Sequence, residues 1–366
     1  MKHLVFALAI CGVCASPTPA ADRGALRIVF IDVEGGAATL IVTPEGHSLL
    51  IDTGWPAALS GGGKPAAAGS GTSAQRIVAA AKREGLSRID HLLLTHYHAD
   101  HLGGARELIG AFPIGAFVDH GPNRQPAVGD PPANRSGYQP AELYAGYVAA
   151  IAGKPHRVMR PGHVLTIDGL SVTAIDSDGA ILNRSLPGAG GPGVGCAAAT
   201  RGTDIGTDEN PRSLGTLLAW GKARILALGD TTRIIEDRLV CPRDLIGPVD
   251  LMIADNHGTD NAGSPLLLDT VKPSVIVFNN GAAKGADQAS LAFAKAAPYV
   301  RGIWQVHFAT RSPGDNARAG QIANPDGADA MHPLRLAIGR DGAIAVTNMR
   351  TGLTTHYPKA AARPSR

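Results

Sequence analysis

The segment His96-Tyr97-His98-Ala99-Asp100-His101 puts four metal-capable side chains within six residues, directly after the short apolar run 91–94. A continuous apolar run of that length reads as a buried strand. Gly103-Gly104 and residues 105–109 then read as the opening of a helix. Imidazole nitrogens must come to about 2.0–2.1 Å of an ion such as zinc, and a rigid strand end followed by a tight turn can aim several of them into one small volume. His96 and His98, two apart, share a face and can clasp one ion. Asp100 and His101, where the chain turns into the helix, suit a second ion beside it. The alternative, a solvent-exposed polar turn, would crowd titratable groups without compensation.

The flanking pattern is one of mixed strands and helices. Residues 26–33 and 38–42 are β-rich and separated by the turn Glu34-Gly35-Gly36; Pro44-Glu45-Gly46 leads into 48–51, and Asp52-Thr53-Gly54 closes this meander. A helix is predicted from Ser73 to a stop at Gly85. Further on, strands are predicted at 114–119, 164–167, 170–175, 214–220 and 223–228, with a helix around 141–151. Units at 251–254, 265–271, 274–278, 288–296 and 302–306 precede a last meander of 334–338, 343–347 and 353–357. Strands at both ends with helices between them predict an α/β sandwich of sheets covered by helices. Only 4% of residues are aromatic, against 46 glycines and 26 prolines, so long irregular connections are expected. The Gly/Ala/Pro/Ser-rich stretch 56–72 and the connections 121–139 and 180–212 fit, and the last two are candidates for shaping a cleft.

Two more strand ends carry chemistry. Gly229-Asp230 follows the strand at 223–228 and offers an exposed carboxylate able to bridge two ions, and Asp255-Asn256-His257-Gly258 follows 251–254 and offers His257. Asp52-Thr53-Gly54, then Thr95 to Gly104 with its histidine cluster, then Gly229-Asp230, then His257-Gly258, taken in that order, resembles the metallo-β-lactamase superfamily. The resemblance is closest to the branch containing the hydrolase domain of competence-type DNA-uptake proteins. It covers most of the chain and is specific for a fold, not for a substrate.

That resemblance implies a four-layer αββα sandwich, two mixed sheets flanked by helices, and two divalent metal ions, with zinc the default. It implies that His96 and His98 bind the first ion, that Asp100, His101 and His257 bind the second, and that Asp230 bridges them. Asp100 would also orient the attacking water. Two departures stand out: Asn256 replaces the first of a histidine pair, and the place of a further histidine after 170–175 holds Asp176-Ser177-Asp178. Asp178 and His120 are the candidates for that missing ligand. His163 and His307 read as structural or substrate-facing. Asp32 and Glu34 either buttress ligand histidines or lie in an exposed turn, and Asp52 organises its own turn and the neighbouring backbone.

Lys2, the apolar stretch 4–15 and Pro19-Ala20-Ala21 read as a secretory leader over residues 1–20, with one domain over 21–366 and a periplasmic or secreted location. No apolar run is long enough to span a bilayer. Losing Lys2 lowers the formal charge from +3 to +2, too little to argue for a nucleic-acid or membrane surface, and no basic, aromatic stripe supports nucleic-acid binding. Cys11 and Cys14 leave with the leader; Cys196 and Cys241 remain, as one disulfide or as two buried thiols. The expected activity is hydrolysis of a small-molecule phosphoester or a phosphodiester by metal-activated water. The alternatives are a carboxylic ester, lactone or β-lactam substrate, or a noncatalytic metal-binding protein; iron redox chemistry is disfavoured by the want of a flavin-binding extension.

Overall fold

Leu26, Ile28 and Phe30 alternate with Val29 and Ile31, and both sets are buried. A strand whose two faces are both apolar must lie inside a layered structure, and the rest of the chain supplies the layers. The computed structural model describes residues 24–60, 63–66, 69–129, 136–200, 202–326 and 330–360. The expected leader, residues 1–20, lies outside these.

The first sheet begins with a meander of β1 (Leu26–Phe30), β2 (Thr39–Val42) and β3 (Ser48–Ile51). The small hairpin β4 (Leu59–Ser60) and β5 (Lys64–Pro65) lies within the stretch read as an irregular loop. Helix α1 (Ser73–Arg83) starts with a capping box, in which Thr72 Oγ1 accepts from Gln75 N–H and Gln75 Oε1 accepts from Thr72 N–H. Then come β6 (Ile89–Leu93), α2 (Ala99–Leu102), α3 (Ala105–Ala111), β7 (Ile114–Asp119), α4 (Pro140–Ile151) and the short edge strand β8 (His156–Val158). The last three strands, named below, return to this sheet, and the first of them pairs with β1.

The second sheet holds β9 (Val164–Ile167), β10 (Leu170–Ser177), β11 (Ala180–Ile181), β12 (Gly215–Trp220) and β13 (Ala223–Ala227). Helix α5 (Arg233–Val240) leads to β14 (Leu251–Ile253), α6 (Pro265–Val271) to β15 (Val275–Phe278), and α7 (Gln288–Ala296) to β16 (Gly302–His307). β17 (Ile322–Asn324) ends this sheet, and β18 (Leu334–Ile338), β19 (Ile344–Asn348) and β20 (Thr354–Tyr357) complete the first. The first sheet runs β20-β19-β18-β1-β2-β3-β6-β7-β8; the second runs β11-β10-β12-β13-β14-β15-β16-β17, with β9 on β10.

Three buried clusters define four layers. Leu26, Ile28 and Phe30 meet Trp220, Ile225 and Trp304 between the sheets. Val29, Leu40 and Leu92 pack under Ile77, Leu108 and Tyr147 of the first helical layer, and Leu226, Met252 and Ile276 pack under Leu239, Leu268 and Leu291 of the second. This is the predicted αββα sandwich of two mixed sheets. Among the described residues no helix is long and apolar enough to cross a membrane.

Helix α5 was not anticipated between Asp230 and residue 251, although Ile235, Leu239 and Val240 lie on its buried side. β10 also runs two residues beyond its predicted end, so Asp176 and Ser177 belong to a strand. Cys196 and Cys241 form a disulfide, with Cα atoms 5.6 Å apart, that clips the connection after β11 to the end of α5. Such a closure contributes about 2–4 kcal/mol.

Candidate metal centre

β3, β6 and β7 are mutually parallel, as are β13 to β16, and their carboxyl ends deliver the residues of interest. Asp52 follows β3, the histidine cluster follows β6, Asp230 follows β13, His257 follows β14 and Asn279 follows β15. Carboxyl ends of parallel strands are where open α/β sheets gather ligand-binding groups. The three distant segments singled out in the sequence do meet: donor atoms of Asp100, His101, Asp230 and His257 all lie within 4.8 Å of one another, and all four residues are buried.

Backbone conformation does much of the aiming. Asp52, Asn256 and His257 have φ of 61°, 47° and 54°. Left-handed backbone costs a non-glycine residue about 1–3 kcal/mol and persists where the surroundings impose it, commonly at functional sites. Gly229, at φ +64°, carries no such steric cost, and a Cβ there would lie 2.8 Å from that of Thr95, so glycine lets the turn before Asp230 rest on the strand end that carries the histidines.

Hydrogen bonds fix which ring nitrogens face inward. Asp52 accepts from Thr95 N–H and Oγ1–H, each at 2.8 Å, and lies 2.8 Å from His101 Nδ1. A carboxylate only accepts, so His101 Nδ1 carries the proton and Nε2 presents a lone pair. His257 Nδ1 lies 3.0 Å from the Asn279 carbonyl oxygen, which exposes its Nε2 in the same way. These two Nε2 atoms are 3.1 Å apart. His101 Nε2 is 3.1 Å from Asp230 Oδ1 and 3.3 Å from Asp100 Oδ2, and His257 Nε2 is 3.1 Å from that Asp100 oxygen. With both rings in these tautomers, two imidazole lone pairs and two carboxylates converge here, which is the donor set a divalent cation satisfies.

A second convergence lies on the other side of Asp230. Thr95 Oγ1, already donating to Asp52, accepts from His96 Nδ1 at 3.1 Å. His98 Nε2 donates to Gln125 Oε1 at 3.0 Å, and that oxygen is identified by the Glu209 N–H that also donates to it at 3.1 Å. Both inward nitrogens, His96 Nε2 and His98 Nδ1, are thus acceptors, and they stand 3.0 Å apart. Asp230 Oδ2 is 4.0 Å from His96 Nε2, while Oδ1 serves His101.

Electrostatics agree with this reading. Burial holds His96 well below its ordinary pKa, with His101 adding to the effect, so it is a neutral imidazole. Burial acts downward on His101 too, but the Asp230, Asp100 and Asp52 carboxylates outweigh it and drive the net shift well upward. The carboxylates call for positive charge at that point, as a proton or as a metal. Burial alone would raise Asp230 and Asp100; His101 and His257 hold the first well below the carboxylate range, and Lys284 and His101 do so for the second.

Other candidates fall elsewhere. His120 is fully buried with Nε2 3.0 Å from Glu209 Oε2, and it does not join the cluster. Asp178 is taken by Arg124 and Arg212, each at 3.0 Å, so its charge is already neutralised. Asp176 accepts from Thr231 Oγ1–H at 2.7 Å, and burial pushes its carboxyl up to about 8, which leaves it a poor ligand at neutral pH. His163 accepts from Arg160 N–H at 3.3 Å. Asp32 pairs with His307 at 2.7 Å and does not touch the clustered histidines; Asp52, which lies 2.8 Å from His101 Nδ1, does. Gln125, Asn279 and Lys284 escaped the sequence reading. Gln125 and Lys284 line, with His98, Asp100 and Asp230, a cavity of about 750 Å³.

Several solved structures are similar to this chain. CmlA, a diiron beta-hydroxylase from Streptomyces venezuelae, is 19% identical with a TM-score of 0.37 over 72% of this chain and 45% of its own, so the chain spans less than half its length. The metallo-beta-lactamase fold protein YhfI from Bacillus subtilis is 12% identical, with a TM-score of 0.43 over 77% of this chain and 96% of its own. Tm1679, described as a metal-dependent hydrolase of the beta-lactamase superfamily, is 12% identical, with a TM-score of 0.42 over 76% and 95%. No curated protein is significantly similar in sequence. Residues 31–258, more than half of the 366, match the metallo-beta-lactamase superfamily, and the chain belongs to that superfamily.

Proposed function

We propose that the protein is an exported hydrolase with a dinuclear metal centre, acting on a phosphoester or phosphodiester. The observation that carries this reading is Asp230: its Oδ1 lies 3.1 Å from His101 Nε2 and 3.4 Å from His257 Nε2, and its Oδ2 lies 4.0 Å from His96 Nε2, the nitrogen that stands 3.0 Å from His98 Nδ1. Divalent ions bound there would supply Lewis acidity, activating water near neutral pH and polarising the ester oxygen. His96, His98 and Asp230 hold the first ion, and Asp100, His101, His257 and Asp230 hold the second. With Asp176 bonded to Thr231 Oγ1–H, the first set has three protein donors, the number that suits a catalytic rather than a structural ion. Asp100, in the cavity wall, orients the attacking water. Zinc is the default for such donors, and manganese or iron is compatible with them.

Phosphoesters rank first because two-ion centres suit in-line displacement at phosphorus and because the motif order resembles the competence-type branch. Export is supported by the leader-like first 20 residues and by the Cys196–Cys241 disulfide, which suits an oxidising compartment. Metal-loaded protein should cleave bis-p-nitrophenyl phosphate, and His96→Ala or removal of the metal should abolish this while the chain stays folded. Turnover of nitrocefin or a simple lactone with no phosphodiester cleavage would overturn the substrate class.

A further inference from the structure

Lys284 stands in the cavity wall between Trp55 and Asp100. Its turn is welded to the ligand set. Ala286 N–H donates to the His257 carbonyl at 2.9 Å, Gly281 N–H donates to the Lys284 carbonyl at 2.9 Å, and Thr310 donates through N–H and Oγ1–H to Ala282 at 2.8 and 2.7 Å. Gly285 has φ +73°, and a Cβ there would lie 2.3 Å from the His257 carbonyl oxygen, so glycine is what lets the lysine's turn lie against a ligand residue. The ammonium sits 5.4 Å from the centroid of the Trp55 ring, within cation–π range, and donates to Asp100 Oδ2.

That oxygen is contested. Asp100 Oδ2 also lies 3.1 Å from His257 Nε2 and 3.3 Å from His101 Nε2, where the second ion would draw on it. Two divalent ions would bring four positive charges to the three carboxylates that touch the ligand histidines, Asp52, Asp100 and Asp230. With its counter-ion engaged elsewhere, Lys284 adds to a positive excess in a part-buried wall, where an unpaired charge is costly.

We propose that Lys284 binds an anionic oxygen of the substrate beside the bond that is cut, so that the cavity selects phosphate esters whose alcohol part lies on Trp55, Leu59 and Tyr138. The proposal rests on the metallohydrolase reading of the same centre and names the group that would recognise its substrate. Inorganic phosphate titrated calorimetrically into metal-loaded protein tests it without turnover. Phosphate should bind about tenfold more weakly to Lys284→Met, about 1.4 kcal/mol, with Lys284→Arg recovering most of the loss and metal content equal in all three. In kinetics, Lys284→Met should raise KM for bis-p-nitrophenyl phosphate more than it lowers kcat. Equal phosphate affinity in Lys284→Met would overturn the proposal. So would loss of metal in that variant, because the ammonium would then support the ions rather than the substrate. If bis-p-nitrophenyl phosphate is never cleaved but phosphate binding still follows Lys284, the hydrolase reading fails and the anion site stands.

Discussion

On one side of Asp230, His101 and His257 are almost fully buried and take their orientation from Asp52 and Asn279, both at strand ends. On the other side His98 is half-buried, faces the cavity, and takes its orientation from Gln125 on the long connection after β7. Gln125 is itself held by the backbone of Glu209, from the second long connection, whose carboxylate also accepts from Arg124 N–H at 2.8 Å. The strand-end half offers four protein donors in a rigid frame, and the loop-held half offers three. An ion in the first should bind more tightly and exchange more slowly than one in the second, and the loop-held half is the one free to change ligand during turnover.

Asp230→Ala removes the donor common to both halves; metal content should fall and turnover of any cleaved ester should drop by about a thousandfold or more, the rate equivalent of several kcal/mol of Lewis-acid stabilisation. Asp52→Asn leaves a side chain of the same shape but no longer compels His101 Nδ1 to keep its proton. Metal affinity should fall about 10–100-fold at the tighter ion, and competition with a chromophoric chelator should show a smaller loss at the looser ion, whose His96 is reached by Asp52 only through Thr95. Gln125→Ala should weaken only the looser ion, by about tenfold, with the tight phase of the same titration unchanged. A loss of the tight phase instead would invert the comparison.

The smallest effect concerns the support beneath the loop-held half. Asp119, at the end of β7, lies 2.8 Å from His156 Nε2 and 3.0 Å from Tyr147 Oη, and accepts from Gly121 N–H, where the long connection begins. The hydrogen bond to Asp119 raises the His156 pKa above its ordinary 6.5 against partial burial. A raised histidine contributes stability that is fully present below its unfolded value and is lost as pH rises through the folded one. The melting-temperature difference between wild type and His156→Gln should therefore be present at pH 5.5 and shrink at alkaline pH. His156 is partly exposed, so the effect is modest; a difference that grows with pH would contradict the pairing.

What the sequence disclosed follows the same division. Residues fixed by contiguous motifs at strand ends, His96, His98, Asp100, His101, Asp230 and His257, were legible because alternating and apolar runs locate strand ends. Asp52 was legible as the organiser of its turn, but its grip on His101 across 49 positions was not. Gln125, Glu209 and Lys284 lie on connections, where no periodicity says which way the chain travels. Asp178 and His120 were offered as the missing ligand by position alone. The structure gives each a closer partner of opposite character, arginines for one and Glu209 for the other. Helix α5 had readable signals, with Thr232 at its N-cap and apolar residues at helical spacing. The charged residues between them obscured that pattern.

Metal content measured on natively purified protein, followed by titration of the stripped chain, decides whether Asp230 joins a pair of ions. Two divalent ions per chain should be taken up, in a tight and a looser phase, with both affinities impaired in Asp230→Ala. A chain that takes up a single ion or none when offered zinc, manganese and iron, or that keeps two ions undisturbed in Asp230→Ala, would contradict that pairing.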